Sequence, residues 1–431
     1  MQLSSIDFLY DIFKKHPQVQ TDTRKLKEGD LYFALKGPSF NGNNFAVAAI
    51  QAGAAYAIVD EPIQDAALYE AQILQVTDVL TCLQTLAKHH RQQFNIPFIA
   101  ITGSNGKTTT KELIAAVLSS HFKTYTTQGN LNNHIGVPLT ILSIKSDAQM
   151  AVIEMGANHL LEIDSYCAYT LPDYGMITNC GKAHLEGFGS EEGVRKGKGE
   201  LFDFIRSHHG TIFLMADYDY LLNMSKGIDT VITYGQNAGE LRATPNTQNG
   251  FLQVAFTQGT SIQKIQTQLV GEYNIPNVLA AVCIGLHFKV PNEKIVAAIE
   301  NYSPSNSRSQ LLIWNHNEVI LDAYNANPSS MKVAIENFAK LDKPNKVICL
   351  GGMKELGPES KIEHQILIDQ IQQYTWKHVI LVGGDFIACK HPYLYFETAA
   401  AAKQWIQEQQ FTKHTLLIKG SRGIQMEQLI A

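Results

Sequence analysis

The stretch IAITGSNGKTTTKELIAAVL, residues 99–118, sets Gly103, Ser104, Asn105 and Gly106 between an apolar run and Lys107, Thr108 and Thr109. A buried strand that ends in such a turn and continues as a helix offers its first backbone N–H groups, at the positive end of the helix dipole, to a phosphate chain. There Lys107 faces the β- and γ-phosphates and the Thr108 hydroxyl takes Mg2+. One glycine of the general loop G-x-x-x-x-G-K-[ST] is missing, because Ile101 stands at its first position. Such a site also needs a magnesium-side acid at the end of a neighbouring strand, and Glu154, closing QMAVIE ahead of MGANH, stands there. His184, in NCGKAHLEGFGS, follows another strand end and is a third candidate for the same mouth, since ligands gather where α/β strands terminate. Plainer readings exist for each: an acid that caps a turn, a satisfied loop histidine. Lys198, in RKGKGELF, shares a helix with Arg195 and Lys196 and by itself reads as part of a solvated basic face.

The elements that must position these residues follow from the apolar patterning. Residues 1–95 alternate strand-like pieces (DLYFAL, AYAIVD, AQILQV) with a helix around residues 45–52 and the helical LTCLQTLAKHHRQQF, a small α/β module. IPFIAIT opens a second region, 96–303, in which QMAVIEMGA, YGMITNCG and GTIFLMA alternate with helices such as EEGVRKGKGELFDFIRS. Strands separated by helices imply a mostly parallel sheet covered on both faces. Beyond Tyr234, FLQVAFTQG and SIQKIQTQLVG read as paired antiparallel strands, followed by a helix from about Asn274 to Leu286. The Ser-, Asn- and Pro-rich stretch 301–310 is the best interdomain linker. From 304 to 431 strand and helix alternate again (EVILDA, KVICLGG, HVILVGG, TLLIKGS), which predicts a doubly wound, Rossmann-like third domain. The expected fold class is therefore α/β with three domains.

The bulk composition narrows the function classes. With 45% hydrophobic and 17% charged residues and a net charge of −5, the chain reads as globular, and nucleic acid is disfavoured as a partner. Its six cysteines stand far apart with no C-x-x-C pair, as expected of thiols in a reducing cytoplasm. No run of 18 apolar residues is present, so neither targeting nor membrane insertion is expected.

TGSNGKTTT resembles the shortened phosphate loop of the Mur ligases, the ATP-dependent amide-forming enzymes of peptidoglycan precursor synthesis, in which the missing glycine is a family trait. The likeness runs over nearly the whole chain and is strongest in NLNNHIGVPLTIL, EMGANHLLEI, AHLEGFGSEEGVRKGKGELF, DAYNANPSSM and GGMKELG. Those blocks are similar to the dipeptide-adding branch of the family. The resemblance implies ATP, two Mg2+ ions, UDP-N-acetylmuramoyl-tripeptide and D-alanyl-D-alanine as ligands, an acyl-phosphate intermediate, and a monomer.

Residue by residue, the resemblance implies that Gly103, Ser104, Asn105, Gly106, Lys107, Thr108 and Thr109 hold the ATP phosphates. It assigns one Mg2+ to Thr108 and Glu154 and a second to His184, and matches Lys198 to a lysine that is typically carbamylated, which reverses the solvated-face reading. Asn274 and Asn277, in GEYNIPNVLAA, fall near the adenine, with Tyr273 in place of the usual histidine. Arg308 and Asp322 reach the nucleotide when the domains close. Thr23 and Arg24 match a substrate-contacting turn of the uridine-nucleotide module, where Asn41 and Asn43 of SFNGNNF replace Asp and His. Asn132 and Asn133 face the peptidyl-sugar end; Tyr324, Asn325 and Asn327 lie near the dipeptide and nucleotide. Gly352 stands where an aspartate is common. The absence of a D-N-P-R segment argues against the branch that adds diaminopimelate. Another amide ligase of the superfamily, adding a single amino acid or folate-linked glutamate, is the alternative within the enzyme class; a nucleotide-gated binding protein is the alternative outside it.

Overall fold

The computed structural model describes residues 5–64, 68–248, 250–305 and 307–431. Asn306, within the proposed linker, lies outside the described residues. The chain packs as two compact units, one of Met1–Ala100, Phe122–Gly156 and Glu162–Gly175, the other of Ile101–His121, Ala157–Leu161 and Met176–Ala431.

The first unit opens with a helix, Ile6–Lys15, that the patterning did not single out; Ser5 caps it by accepting from Phe8 N, and Leu9, Ile12 and Phe13 bury its apolar stripe. Four short parallel strands follow, β1 Val19–Gln20, β2 Leu31–Phe33, β3 Tyr56–Val59 and β4 Ile73–Gln75, in the order β1-β2-β3-β4. The helices Ala46–Gln51 and Val79–Arg91 fall on the expected segments.

A nine-stranded sheet contains β5 Phe98–Thr102, β6 Thr124–Thr126, β7 Met150–Glu154, β8 Tyr174–Ile177, β9 Thr211–Met215, β10 Thr230–Gly235, β11 Leu241–Gln248, β12 Phe251–Gln258 and β13 Lys264–Val270. Its order is β13-β12-β11-β10-β9-β8-β5-β7-β6. β9, β10 and β11 pair in parallel, and β12 and β13 then add antiparallel. The antiparallel pair FLQVAFTQG and SIQKIQTQLVG is thus present, but a third strand, β11, precedes it. LRATPNTQ hides as a strand because Pro245 normally argues against an interior position; here Pro245 stands opposite Val254, with the register shifting between Arg242 and Ala243.

The second unit holds a six-stranded sheet made of β14 Gln310–Trp314, β15 Asn317–Asp322, β16 Lys346–Gly351, β17 His378–Val382, β18 Leu394–Phe396 and β19 Thr415–Lys419, in the order β14-β15-β19-β16-β17-β18. Only β14 runs antiparallel among the pairings described. Strand alternation sends Ile348 and Leu350 into one apolar cluster, with Met331, Ile335 and Phe338 of the helix Pro328–Lys340. Val347 and Cys349 enter another, with Ala402 and Ile406 of the helix Ala399–Glu408. Helices on both faces make this the doubly wound sheet that the patterning predicts.

Candidate active site

The phosphate loop begins where β5 ends, and β5 is buried along its whole length. Ile101 is fully buried inside that strand, so the turn starts two residues later than in the longer loop. Gly103 has a φ of +142°, and a Cβ there would lie 2.1 Å from Thr178 Oγ1; no other residue fits. The loop is pinned from the segment after β8. Ser104 N donates to Asn179 O (2.8 Å) and Asn105 N to Asn179 Oδ1 (3.1 Å). Ser104 Oγ donates to Gly181 O (2.9 Å) and Thr178 Oγ1 to Asn105 O (2.7 Å). Gly106, left-handed at φ +79°, caps the helix Lys107–Ser119. Lys107 Nζ lies against the loop, donating to Gly103 O (2.5 Å) and Ser104 O (3.2 Å), and Thr108 is buried in the first helical turn beside half-buried Thr109.

Asn274 and Asn277, expected near the adenine, are buried behind this helix. Thr110 Oγ1 donates to Asn277 Oδ1 (2.9 Å), Asn277 Nδ2 to Asn274 Oδ1 (2.9 Å) and Asn274 Nδ2 to Val270 O (2.9 Å). A Cβ on Gly106 would come within 2.8 Å of Asn277 Oδ1, so this amide chain braces the loop from behind. Tyr273 ties its phenol to Ser309 Oγ at 2.7 Å, and burial pushes that phenol's pKa up.

His184 and Lys198 share a neighbourhood. The short helix Leu185–Phe188 starts on His184, which is left-handed at φ +52°. A Cβ on Gly187 of that helix would meet Asn158 O at 2.2 Å, which seats it on the residues after EMGA. Lys198, only 1% exposed, donates to Ala157 O (2.7 Å) and lies 5.0 Å from the Phe188 ring centroid. The solvated-face reading of Lys198 is thereby corrected: two residues along a helix turn the direction by about 200°, so Lys196 is exposed while Lys198 points inward with Val194 and Leu201.

His184 Nδ1 stands 2.5 Å from Glu355 Oε2, an ion-pair contact rather than an aligned hydrogen bond, and the imidazole beside it holds the Glu355 carboxyl below its ordinary range despite partial burial. The same segment is tied down at Lys182, whose N donates to Ser329 Oγ (2.9 Å) and whose ammonium pairs with buried Glu363 (2.7 Å).

Beyond the linker, Asp322 ends β15 and accepts from Ser309 N (3.2 Å) and from Lys419 Nζ (2.5 Å). Arg308 stacks its guanidinium 3.6 Å from the Tyr324 ring centroid, a cation–π contact. Asn327 caps the helix Pro328–Lys340 and donates from Nδ2 to Asn105 Oδ1 (2.8 Å), and so touches the phosphate loop directly; Asn325 is exposed. The departures at Gly352 and Tyr273 acquire physical reasons. A Cβ on Gly352 would lie 2.6 Å from Gly384 Cα, so no aspartate fits there.

In the first unit, Glu154 ends β7, is 1% exposed, and receives Asn132 Nδ2 at Oε1 (2.7 Å). Asn133 Oδ1 accepts from Gly136 N (2.9 Å) at the start of the helix Gly136–Leu142. Thr23 and Arg24 lie in a single turn, Thr23–Lys25, where Asp22 accepts from Arg24 Nε and Nη2 (2.8 Å each). Asn41 and Asn43 bond each other and Glu61 and Asp60, with Lys36 bridging both acids, which closes that loop on itself.

Thr178, Asn179, Lys182, Glu355 and Lys419 were not singled out from the sequence. Lys419 is legible only through the strand register that sets it beside Asp322. As to metal, among the described residues no three His, Cys, Asp or Glu side chains are gathered around one point. The Thr108 hydroxyl and the buried Glu154 carboxylate are hard oxygen donors of the kind Mg2+ takes alongside waters and phosphate oxygens.

A parallel sheet with a glycine turn pinned ahead of a helix and a doubly wound sheet beyond it define the class, a P-loop nucleotide enzyme. The chain belongs to the Mur ligase family. Residues 17–91 match the Mur ligase family catalytic domain, 101–285 the Mur ligase middle domain and 307–422 the Mur ligase glutamate ligase domain. It is 33% identical over 424 residues to the UDP-N-acetylmuramoyl-tripeptide–D-alanyl-D-alanine ligase of Bacillus subtilis (strain 168), covering 96% of this chain and 92% of that one. The enzyme of the same name from Escherichia coli (strain K12) is 34% identical over 433 residues, with the same coverage. Among solved structures, MurF from Acinetobacter baumannii superposes with a TM-score of 0.86 at 32% identity, covering 96% of this chain and 92% of that chain. MurF from Thermotoga maritima, in complex with ADP, shares the fold with a TM-score of 0.86 at 23% identity and 97% coverage of each.

Proposed function

We propose that this chain joins D-alanyl-D-alanine to UDP-N-acetylmuramoyl-tripeptide at the expense of ATP, in peptidoglycan precursor synthesis. The observation that carries the reading is the full-length likeness, at 33–34% identity, to ligases named for that reaction. In the reaction an oxygen of the tripeptide carboxylate attacks the γ-phosphorus and ADP leaves. The amine of the dipeptide then attacks the acyl carbon, an amide forms, inorganic phosphate leaves and the amine gives up a proton. This needs neutralisation and alignment of the moving phosphoryl group rather than a protein nucleophile.

The family pattern and the local geometry support a role for each group. The N–H groups of residues 103–109 bind the phosphates and Lys107 meets the γ-phosphoryl, with Asn274 and Asn277 acting through the loop they brace. Arg308 and Asp322 contact the nucleotide, Tyr324, Asn325 and Asn327 the dipeptide side, and Thr23, Arg24, Asn132 and Asn133 the UDP-sugar-peptide, with Asn132 also holding Glu154. Thr108 and Glu154 are the protein groups for one Mg2+ and His184 for a second; bound there, the ions screen the repulsion between carboxylate and phosphate. A carbamate on buried Lys198 adds an anion beside His184. Segments 1–95, 96–303 and 304–431 act as substrate, ATP and dipeptide domains, each enclosing one of the three matched segments. The setting is a cytoplasmic monomer.

The test is mass spectrometry of the products formed with ATP and Mg2+ from the UDP-linked tripeptide and a panel of amines. The pentapeptide product from D-alanyl-D-alanine, with ADP release dependent on that dipeptide, is expected. Preferred coupling of a single amino acid, or of glutamate to a folate, assigns the chain to another ligase.

A further inference from the structure

We infer that Arg422 is a specificity-determining residue for the incoming amine, its guanidinium receiving the carboxylate of D-alanyl-D-alanine at the end of the dipeptide away from the reacting amine. The inference rests on the reading above and goes beyond it, since Arg422 has no role there. β19 lies between β15 and β16 and runs parallel to both, so the loops 323–327, 420–424 and 352–357 leave adjacent strand ends. The crevice outside the carboxyl ends of such strands is where doubly wound sheets bind ligands. Arg422 stands there in the turn Arg422–Ile424, its guanidinium 5.8 Å from the centroid of the Tyr324 ring that Arg308 also approaches. Ser421, only 2% exposed, fixes this footing by joining all three loops: it accepts from Lys354 N (3.1 Å) and donates to Ala326 O (3.4 Å).

Charge on this ledge is unbalanced. A Cβ on Gly423 would come within 2.5 Å of Lys354 Nζ, so that ammonium lies against the Arg422 turn. Of Arg308, Arg422 and Lys354, only Arg422 has an ion-pair partner among the described residues, Glu427 Oε1 at 3.4 Å. Arg308 Nε is buried without a hydrogen-bond partner among them. Such an excess of cations favours an anion, and the guanidinium keeps further N–H donors, in a fork that matches a carboxylate, beyond the one Glu427 takes. A surface ion pair with Glu427 is the competing account, but one contact of 3.4 Å from a side chain 65% exposed contributes little by itself. Length decides which end of the dipeptide Arg422 meets. Asn327 touches the phosphate loop at Asn105, whereas Tyr324, in the same loop, lies beside Arg422. The chain from Tyr324 to Asn327 reaches at most about 10 Å and a dipeptide about 7 Å, so an amine at the phosphate end brings the carboxylate to Arg422.

The test is steady-state kinetics of the full chain with ATP, Mg2+, the UDP-linked tripeptide and either D-alanyl-D-alanine or its C-terminal carboxamide, which keeps the amine and the shape but not the charge. In wild type the carboxamide is expected to have a kcat/KM lower by roughly 10–100-fold. In R422A the KM of the acid should rise by a similar factor, the KM of ATP should stay, and acid and carboxamide should react alike. Arg422→Lys keeps the charge without the fork and should recover only part of the preference. An R422A enzyme that still prefers the acid by the wild-type factor, a rise in the KM of ATP instead of the dipeptide, or a wild type indifferent to the carboxamide overturns the inference. Should R422A lose its thermal unfolding transition, R422K carries the same comparison, and a wild-type preference there overturns it too. If wild type forms no pentapeptide from the acid, the proposed function itself fails and takes the inference with it, a result seen before any variant is made.

Discussion

The phosphate loop and the Thr23–Lys25 turn are both short polar turns that the sequence marks as ligand-facing, and they are built in opposite ways. Residues 103–106 are cross-braced from the segment after β8 and from behind by Asn277, and the strand that delivers them is wholly buried. The Arg24 side chain is 86% exposed and is held by its neighbour two residues back, Asp22. One turn presents donors whose positions are settled before a ligand arrives, as transition-state stabilisation requires. The other keeps an exchangeable ion pair, which suits the uniform substrate binding proposed for it. Replacements in the first should therefore damage rate or stability, and replacements in the second should register in substrate affinity.

The largest effect is expected from Lys107→Ala. Loss of this cation should lower ADP release by about two to three orders of magnitude, with the thermal midpoint nearly unchanged; activity within a few-fold of wild type would break the comparison at its strong end. Next comes Gly103→Ala. A Cβ 2.1 Å from Thr178 Oγ1 at a φ of +142° should destabilise the chain by roughly 3 kcal/mol, read from urea unfolding.

Acid sharpens the contrast between buried and exposed pairings. Burial holds His90 and His364 below their ordinary value of 6.5 in the folded chain. The unfolded chain therefore takes up protons first, so stability is flat above about 6.5 and falls as pH drops through the lower folded values. His364 lies under the Met353–Glu355 turn, and that turn should loosen early in hydrogen exchange. The Asp22 carboxyl, held down to about 2 by Arg24, should keep its pairing across the same range. Asp22 and Arg24 persisting while the His364 region loosens is the outcome expected from chemical shifts recorded between neutral pH and pH 5.

The smallest effect belongs to Arg24→Ala, which should leave the urea unfolding midpoint essentially unchanged. Its mark should be a raised KM for the UDP-linked substrate at unchanged kcat, the signature of uniform binding lost. A fall in kcat with KM unchanged would place Arg24 in the reacting geometry and erase the distinction between the two turns.

Much of the fold was legible because local patterning and final environment agree. β5, β15, β16, β17 and β19 all lie on runs read as strands, and Ile348 against Cys349 shows the two-faced burial of a doubly wound sheet. β11 was missed because Pro245 and a polar composition mask its alternation. Lys198 shows the same limit at the site: its neighbours Arg195 and Lys196 suggest a basic face, and only the packing of Phe188 and Ala157 turns it inward. The amides Asn274 and Asn277 were found by motif, but their engagement with Thr110 and Val270 depends on a helix pairing that no local spacing encodes.

By itself the sequence determined the elements that short-range physics decides: apolar strands, the glycine turn, the helix after it, and the N–H and lysine donors that suit a phosphate. Even the absent glycine follows from that level, since Ile101 is an apolar strand residue and sits buried in β5. Tertiary structure decided the pairings between residues far apart in the chain: Thr178 against Gly103, Lys419 beside Asp322, Asn327 on Asn105, Glu355 on His184. Each joins segments separated by dozens of residues or more, and such contacts exist only once strand order and register are set.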